Sequence, residues 1–419
     1  MSIEYKRYNS TETIIADNKH YKSDMDFTVQ YTRRLFSIIG VWPLVKQTSA
    51  YSTNRKKEIR LAILVIALSM LLMTYVAIPM GVFLTVKVRS LGDFLKVFGL
   101  LVVAVSNFSK LCLFIHRRHL FKSCFEHIEN DWKMASTDVD REIMRKNAVI
   151  GRRVCLMAMS FMYTTGILYH TLMPIWRGKK AQALNKSGRV LPYPGFDLCV
   201  NSHSTPNYQI ILFVCCLSGG VMYTLRITSA TMVCFFVAHL SGQAEIIMSR
   251  LDKIFDNLDD DIQLLNHRIS SVVQRHVRLL RLIDSTQAAL HELFAVEMVA
   301  AVIILCTILW RLSHWQSSDN VVVFTYIVVL YSVTFNLLVV CRSCEVLTEK
   351  CEDIGKATYL SDWWKMPGAS VRPLIMLIAM ANIPRRFTAA GMMDLSVASF
   401  GAIIRTSVAY LNMLRTFNV

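Results

Sequence analysis

The sequence predicts an all-α membrane protein built on seven transmembrane helices, and three observations carry that reading. Of its 419 residues 53% are hydrophobic and only 18% charged, with a mean hydropathy of +0.39. A water-soluble chain of this size carries more charge. Apolar runs close to the length that crosses a hydrocarbon core recur along it. They cover 61–86, 93–115, 154–173, 208–238, 294–313, 320–341 and 392–416. The third observation is where the basic residues fall.

Taken in order, segment 1–60 holds no apolar run long enough for a signal peptide, so the first span is expected to insert itself uncleaved. Segments 1–60, 116–153, 239–292 and 342–386 together hold 33 Lys and Arg, whereas the alternate connections 87–92, 174–207 and 314–319 hold 7. Basic loops stay in the cytoplasm. The N-terminus is therefore expected inside and, after seven crossings, the C-terminus outside. The formal charge of +16 is then explained by loops facing anionic membrane lipid and calls for no nucleic acid. The chain divides into a cytoplasmic N-terminal segment (1–60), spans one to six with helical extensions (61–343), and an anchor segment with the seventh span (344–419).

The longest outside loop holds the sequon Asn185-Lys186-Ser187, which topology makes usable for glycosylation. Of eleven cysteines only Cys199 lies in an outside loop, so no disulfide within those loops is expected. Cys341 and Cys344 form a CxxC without a second pair or a histidine at ligand spacing, and His116 with His119 reads as a juxtamembrane polar cluster. No metal or cofactor is predicted. Nor is an enzyme. The chain has no glycine-rich phosphate loop, no HExxH and no nucleophile motif, and its cytoplasmic loops are too short for catalytic domains. Those loops look helical. Segments 244–254 and 275–294 repeat Leu and Ile every three or four residues opposite Arg, His and Asp, which predicts extensions of spans four and five whose apolar stripes pack together.

The last span poses its own question. Ala398, Gly401, Arg405, Ala409, Asn412 and Thr416 share one narrow helical face, opposite Phe400, Ile403, Tyr410, Leu411 and Leu414. Small residues suit helix packing. An Arg and an Asn on that face suit a water-filled path, because lipid penalises both.

Here the chain resembles a family. Phe400, Arg405-Thr406-Ser407, Tyr410 and Leu414 look like the end of insect odorant receptors. The block "RPLIMLIAMANIPRRFTAAGMMDLSVASF" (372–400) is similar to the segment that precedes the last helix there. "RRLFSIIGVWP" (33–43) resembles the Gly-x-Trp-Pro motif before span one. The resemblance implies an odorant-gated cation channel, assembled as a tetramer with a shared co-receptor. The last helix would line the central pore, and the extensions of spans four to seven would form the anchor between subunits. The chain's short tail would then end at the outer mouth. By the same alignment Met413 falls at the hydrophobic gate and Thr416 one turn outward, with Arg405, Ala409 and Asn412 on the pore face. A ring of Arg405 charges would oppose cation flow, a cost that co-receptor subunits dilute.

The 239–292 segment is too short for the insertion that marks the co-receptor, and the C-terminus lacks the terminal Gln of gustatory relatives. A ligand-tuning member is expected, in the plasma membrane of olfactory neuron dendrites. A G-protein-coupled chemoreceptor would need the opposite topology, a basic tail and an Asp-Arg-Tyr-like turn. A transporter would need an internal repeat. The family binds small volatile molecules in the outer half of spans two to six. Orienting the spans puts Phe94, Phe98, Tyr163, Ile167, Phe213, Met222 and Tyr326 forward as ligand contacts.

Overall fold

The structure is a computed structural model that describes residues 18–46, 54–135, 137–183, 189–198, 204–256, 261–314 and 320–416. Asn185 and Cys199 lie outside them. The chain runs through helices α1 (Tyr21–Ile38), α2 (Trp42–Val45), α3 (Asn54–Val86), α4 (Leu91–His116), α5 (Arg118–Lys133) and α6 (Asp138–Ala183). It continues through α7 (Asn207–Asp252), α8 (Ile262–Ser313), α9 (Asn320–Leu360), α10 (Gly368–Ala381) and α11 (Val397–Thr416). Six of these, α3, α4, α7, α8, α9 and α11, are long and apolar enough to cross a membrane. The seventh span, 154–173, lies within α6, where Thr164, Thr165, Gly166 and His170 dilute its hydropathy.

Length alone forces part of this helical frame out of the bilayer. At 52 residues α8 reaches roughly 78 Å, far more than a hydrocarbon core. Its first half therefore projects beyond the membrane, as do the C-terminal ends of α7 and α9. The expected extensions are present and continuous with their spans.

Outside the membrane the packing is held by buried carboxylates, each gripped from another helix. Asp24 of α1 receives Arg141 of α6 at 2.6 Å, and Asp140 of α6 receives Arg250 of α7 at 2.6 Å. Asp131 of α5 lies 2.9 Å from His239 of α7 and accepts from Arg278 of α8 at 2.6 Å. Burial alone would raise the Asp131 carboxyl, but the His239 hydrogen bond and the neighbouring charges outweigh it and hold the group below its ordinary value. Breaking such a pair by removing one partner strands the other.

Two sequence blocks have clear physical reasons. Gly40, the glycine of the Gly-x-Trp-Pro stretch, sits at φ +77°, and a Cβ there would meet the Ala62 carbonyl oxygen at 2.7 Å. Only glycine permits that turn and that approach to α3. It lets Trp42 pack edge-on against Phe125 and buries Val41 and Val45. In the C-terminal block, the expected span 392–416 is shorter than the sequence predicts. Residues Thr388–Ala389 and Met393–Asp394 form a small antiparallel hairpin, β1 and β2, the one sheet among the described residues, and α11 begins at Val397. Ala390 and Gly391 take positive φ at its turn. Gln287 of α8 clamps it, donating to the Thr388 carbonyl at 3.0 Å and accepting from its N–H at 3.2 Å.

A candidate ligand cavity with a polar floor

Close helix crossings build the cavity wall. Glycines on one helix receive large side chains from the next: Gly166 of α6 faces the Tyr223 ring, Gly219 of α7 faces the His170 imidazole, and Gly99 of α4 faces Thr307 of α8. Any Cβ at these sites would come within 2.2–2.8 Å of its neighbour. Small residues are the usual device for tight crossings in a bilayer.

Between α4, α6, α7, α8 and α9 lies a cavity of about 100 Å³. It adjoins a vestibule of about 600 Å³ under the connection 189–198. Lys96, Leu100, Tyr169, Tyr193, Arg311 and Tyr326 line both spaces and so form the neck between them. The covering loop is fastened at three points. Gly195, at φ +104°, lies against the Pro79 carbonyl so closely that a Cβ would be 2.2 Å away. Phe196 packs on Tyr75 with centroids 5.3 Å apart, and the Tyr193 hydroxyl sits 3.1 Å from Nε2 of His170. At the neck Arg311 donates to the Tyr326 hydroxyl at 3.0 Å.

The cavity wall is apolar, with Leu100, Val103, Met222, Ile304, Val329 and Val333 among its residues. Its far end is polar. There Asn107, Thr165 and Arg226 line it, and behind them lies a buried charge cluster. Lys110 of α4 donates to Oε2 of Glu297 of α8, and Asn336 of α9 donates to Oε1 at 3.2 Å. Arg226 of α7 places Nη2 3.1 Å from the same Oε1. Lys110 is 1% exposed, Glu297 5% and Arg226 7%. Ionisable groups within a span are expensive and mark functional paths. The sequence reading passed over all four residues, although their presence inside apolar runs was a visible signal.

Of the ligand contacts expected from sequence, Met222 and Tyr326 line the cavity. Phe94 and Phe98 stack on each other at 5.1 Å beside it, and Tyr163 turns its hydroxyl to Thr224 at 3.0 Å. Ile167 and Phe213 point outward, 62% and 64% exposed. The helices are rotated by about one residue from that expectation: on α4 the lining positions are Leu95, Lys96, Gly99, Leu100, Val103 and Asn107, and on α6 they are Met162, Thr165, Tyr169 and His170. The stripe on α11 divides only in part along the expected faces, since Tyr410 of the opposite face is exposed and Gly401 of the polar face half-buried. Arg405, Ala409, Asn412, Met413 and Thr416 are exposed, while Ile403, Ser407 and Leu411 turn to the bundle. Among the described residues no group of three or more His, Cys, Asp or Glu could hold a metal ion.

Seven spanning helices, five of them around a largely apolar cavity, define a multi-pass membrane protein. The profile of the 7tm Odorant receptor family matches residues 90–408, about three quarters of the chain, and the protein belongs to that family. Odorant receptor 10 of Aedes albopictus is 21% identical over 343 residues, covering 78% of this chain and 86% of its own. In fold the chain is similar to the insect olfactory receptor OR5 from Machilis hrabei, with a TM-score of 0.76 at 15% identity over 94% of this chain and 99% of that one. The same receptor solved in complex with eugenol matches with a TM-score of 0.76 at 14% identity, over 94% of this chain and 100% of that one. The relatives are receptors, so the family places this chain outside the enzymes.

Proposed function

We propose that this chain is a ligand-tuning odorant receptor, one subunit of a cation channel gated by small volatile molecules and completed by a co-receptor in a hetero-tetramer. The observation that carries the reading is the roofed cavity, walled by five helices and adjoining a vestibule across a narrow neck. A volatile ligand is held there by shape and dispersion, with Met222, Tyr223 and Tyr326 as polarizable contacts. The eugenol complex of the structurally similar receptor supports a ligand of that size. The N-terminus lies in the cytoplasm of the olfactory neuron dendrite and the covering loop outside, in keeping with the basic-residue asymmetry.

The pore reading rests on α11. Arg405, Ala409, Asn412 and Thr416 on its polar face are exposed, and an Arg and an Asn left toward lipid would be costly. Facing other subunits, Arg405, Ala409, Asn412 and Thr416 line a wet path and Met413 closes it by excluding water. The test is current recording in cells expressing this chain with and without a co-receptor during exposure to a volatile panel. Ligand-evoked cation current is expected with the co-receptor. A response that requires a G protein, or current without any ligand dependence, would sink the proposal.

A further inference from the structure

The floor of the cavity carries two cations against one carboxylate: Lys110 and Arg226 both face Glu297. Among the described residues no second acid pairs with either of them. Each Glu297 oxygen accepts a hydrogen bond, Oε2 from Lys110 and Oε1 from Asn336. Arg226 is less fully met. Its Nε has no hydrogen-bond partner, and its Nη2, though 3.1 Å from Glu297, lies outside hydrogen-bond geometry. The side chain is more than nine-tenths buried and lines the cavity. Asn107, also a lining residue and 1% exposed, leaves its Oδ1 unpaired. Buried donors without partners are rare and costly, and a guanidinium is the costliest kind.

The cations at the neck are different. Arg311 is engaged by Tyr326, and Lys96 by Asp93 at 2.6 Å. The unmet hydrogen-bonding capacity is therefore at the far end, below an apolar wall. Resting on the cavity reading above, we propose that this receptor is tuned to volatiles bearing a carbonyl-type oxygen, whose lone pairs take the free N–H groups of Arg226 while the hydrocarbon part lies along Leu100, Val103, Ile304 and Val333. Aldehydes, ketones, esters and carboxylic acids share that acceptor. An ionised acid also balances the surplus positive charge. A hydrocarbon leaves Arg226 unmet, and an amine adds a third cation.

Two matched series test this in cells expressing the chain with its co-receptor. One is octane, octanol, octanal, octanoic acid and octylamine; the other is toluene, benzyl alcohol, benzaldehyde, benzoic acid and benzylamine. In at least one series the carbonyl members should be the most potent, by about tenfold or more over the hydrocarbon, as expected for a hydrogen bond to a charged group. The aldehyde-to-acid ratio separates neutral from anionic recognition. Arg226→Met should abolish that preference while leaving Lys110 and Glu297 as a balanced pair. Should it fail to reach the surface, Arg226→Lys, which loses Nε and the planar fork, should still shrink the preference severalfold. Hydrocarbons or amines equal to the carbonyl members, or Arg226 variants with unchanged ratios, overturn the inference. Val103→Phe, which fills the cavity, separates this failure from that of the cavity reading. If it shifts every response while Arg226 variants shift no ratio, only the inference falls. If it shifts nothing, or if every probe is silent, the cavity reading falls and takes the inference with it.

Discussion

The helices α8 and α11 are both long apolar spans, and the bundle treats them in opposite ways. In the most apolar window of α8, 67% of residues are buried; in that of α11, 11% are. The buried helix carries the acid Glu297, already partnered by Lys110 and Asn336. The exposed helix carries Arg405 and Asn412 on its outer face. The same residue class, a polar group in a span, thus means two things. On α8 it is internal cement, satisfied within one chain. On α11 it is surface, exposed at the outside of the bundle. Substitutions on α8 should be paid in folding, those on α11 in current.

The largest effect is expected at the cement. Glu297→Ala leaves Lys110 and Arg226 unpaired in the membrane core, and removing one partner of a buried ion pair costs about 3–5 kcal/mol. Surface biotinylation should find little of this variant at the plasma membrane. Normal delivery would mean that water reaches the cluster and that α8 is less sealed than its burial implies.

Next come the glycine crossings. Gly219→Ala puts a methyl 2.2 Å from Nε2 of His170, so the imidazole must move and its 3.1 Å contact with Tyr193 is lost. Overpacking of this kind costs about 1–3 kcal/mol. The protein should still reach the surface, but with the roof loop loosened, and ligand potency should fall about tenfold or more. A milder His170→Gln should fall between this variant and the wild type. Equal potency in all three would show that the loop is held by Gly195 and Phe196 alone.

On α11 the comparison predicts intact folding and altered current. Met413→Ser lets water remain at the constriction and should raise ligand-independent current about tenfold, a shift of about 1.4 kcal/mol in the closed–open balance. Thr416→Lys should lower cation conductance by charge repulsion with little change in potency. Co-receptor subunits will dilute both effects. If either variant behaves like Glu297→Ala and fails to reach the surface, α11 is a packing helix after all.

How much of this was legible in the sequence follows from the physics of each signal. Span positions were readable because crossing a bilayer demands length, and all seven runs answer to helices in place. The exception is 392–396, where hydropathy ran on through a hairpin whose positive-φ turn at Ala390-Gly391 interrupts the helix. Helix rotation was not readable from the large apolar residues. In lipid both faces of a helix are apolar, and one residue turns the face by about 100°. Phe94 and Phe98 were therefore preferred to Leu95 and Gly99, and Ile167 to Thr165. The better phase marks were polar or small: Gly99, Asn107, Thr165 and Arg226 all point inward.

The smallest expected effect tests that lesson. Phe213 and Ile167 are bulky and apolar and lie within spans, so a reading by residue type alone makes them ligand contacts. Their side chains point away from the bundle, where lipid touches them as favourably as it would touch alanine per unit area. Phe213→Ala and Ile167→Ala should thus leave dose–response curves within about twofold of wild type. Met222→Ala, on the same helix as Phe213 but facing the cavity, removes a polarizable wall residue and enlarges the chamber. It should shift potency severalfold and favour bulkier ligands over smaller ones. The pair is informative because surface delivery should be equal in both, leaving helix phase as the one difference between them. Nine residues separate the two, about half a turn at 100° each, so a Phe213 variant with the larger shift would turn α7 by roughly half a revolution from its place here, and would move the cavity with it.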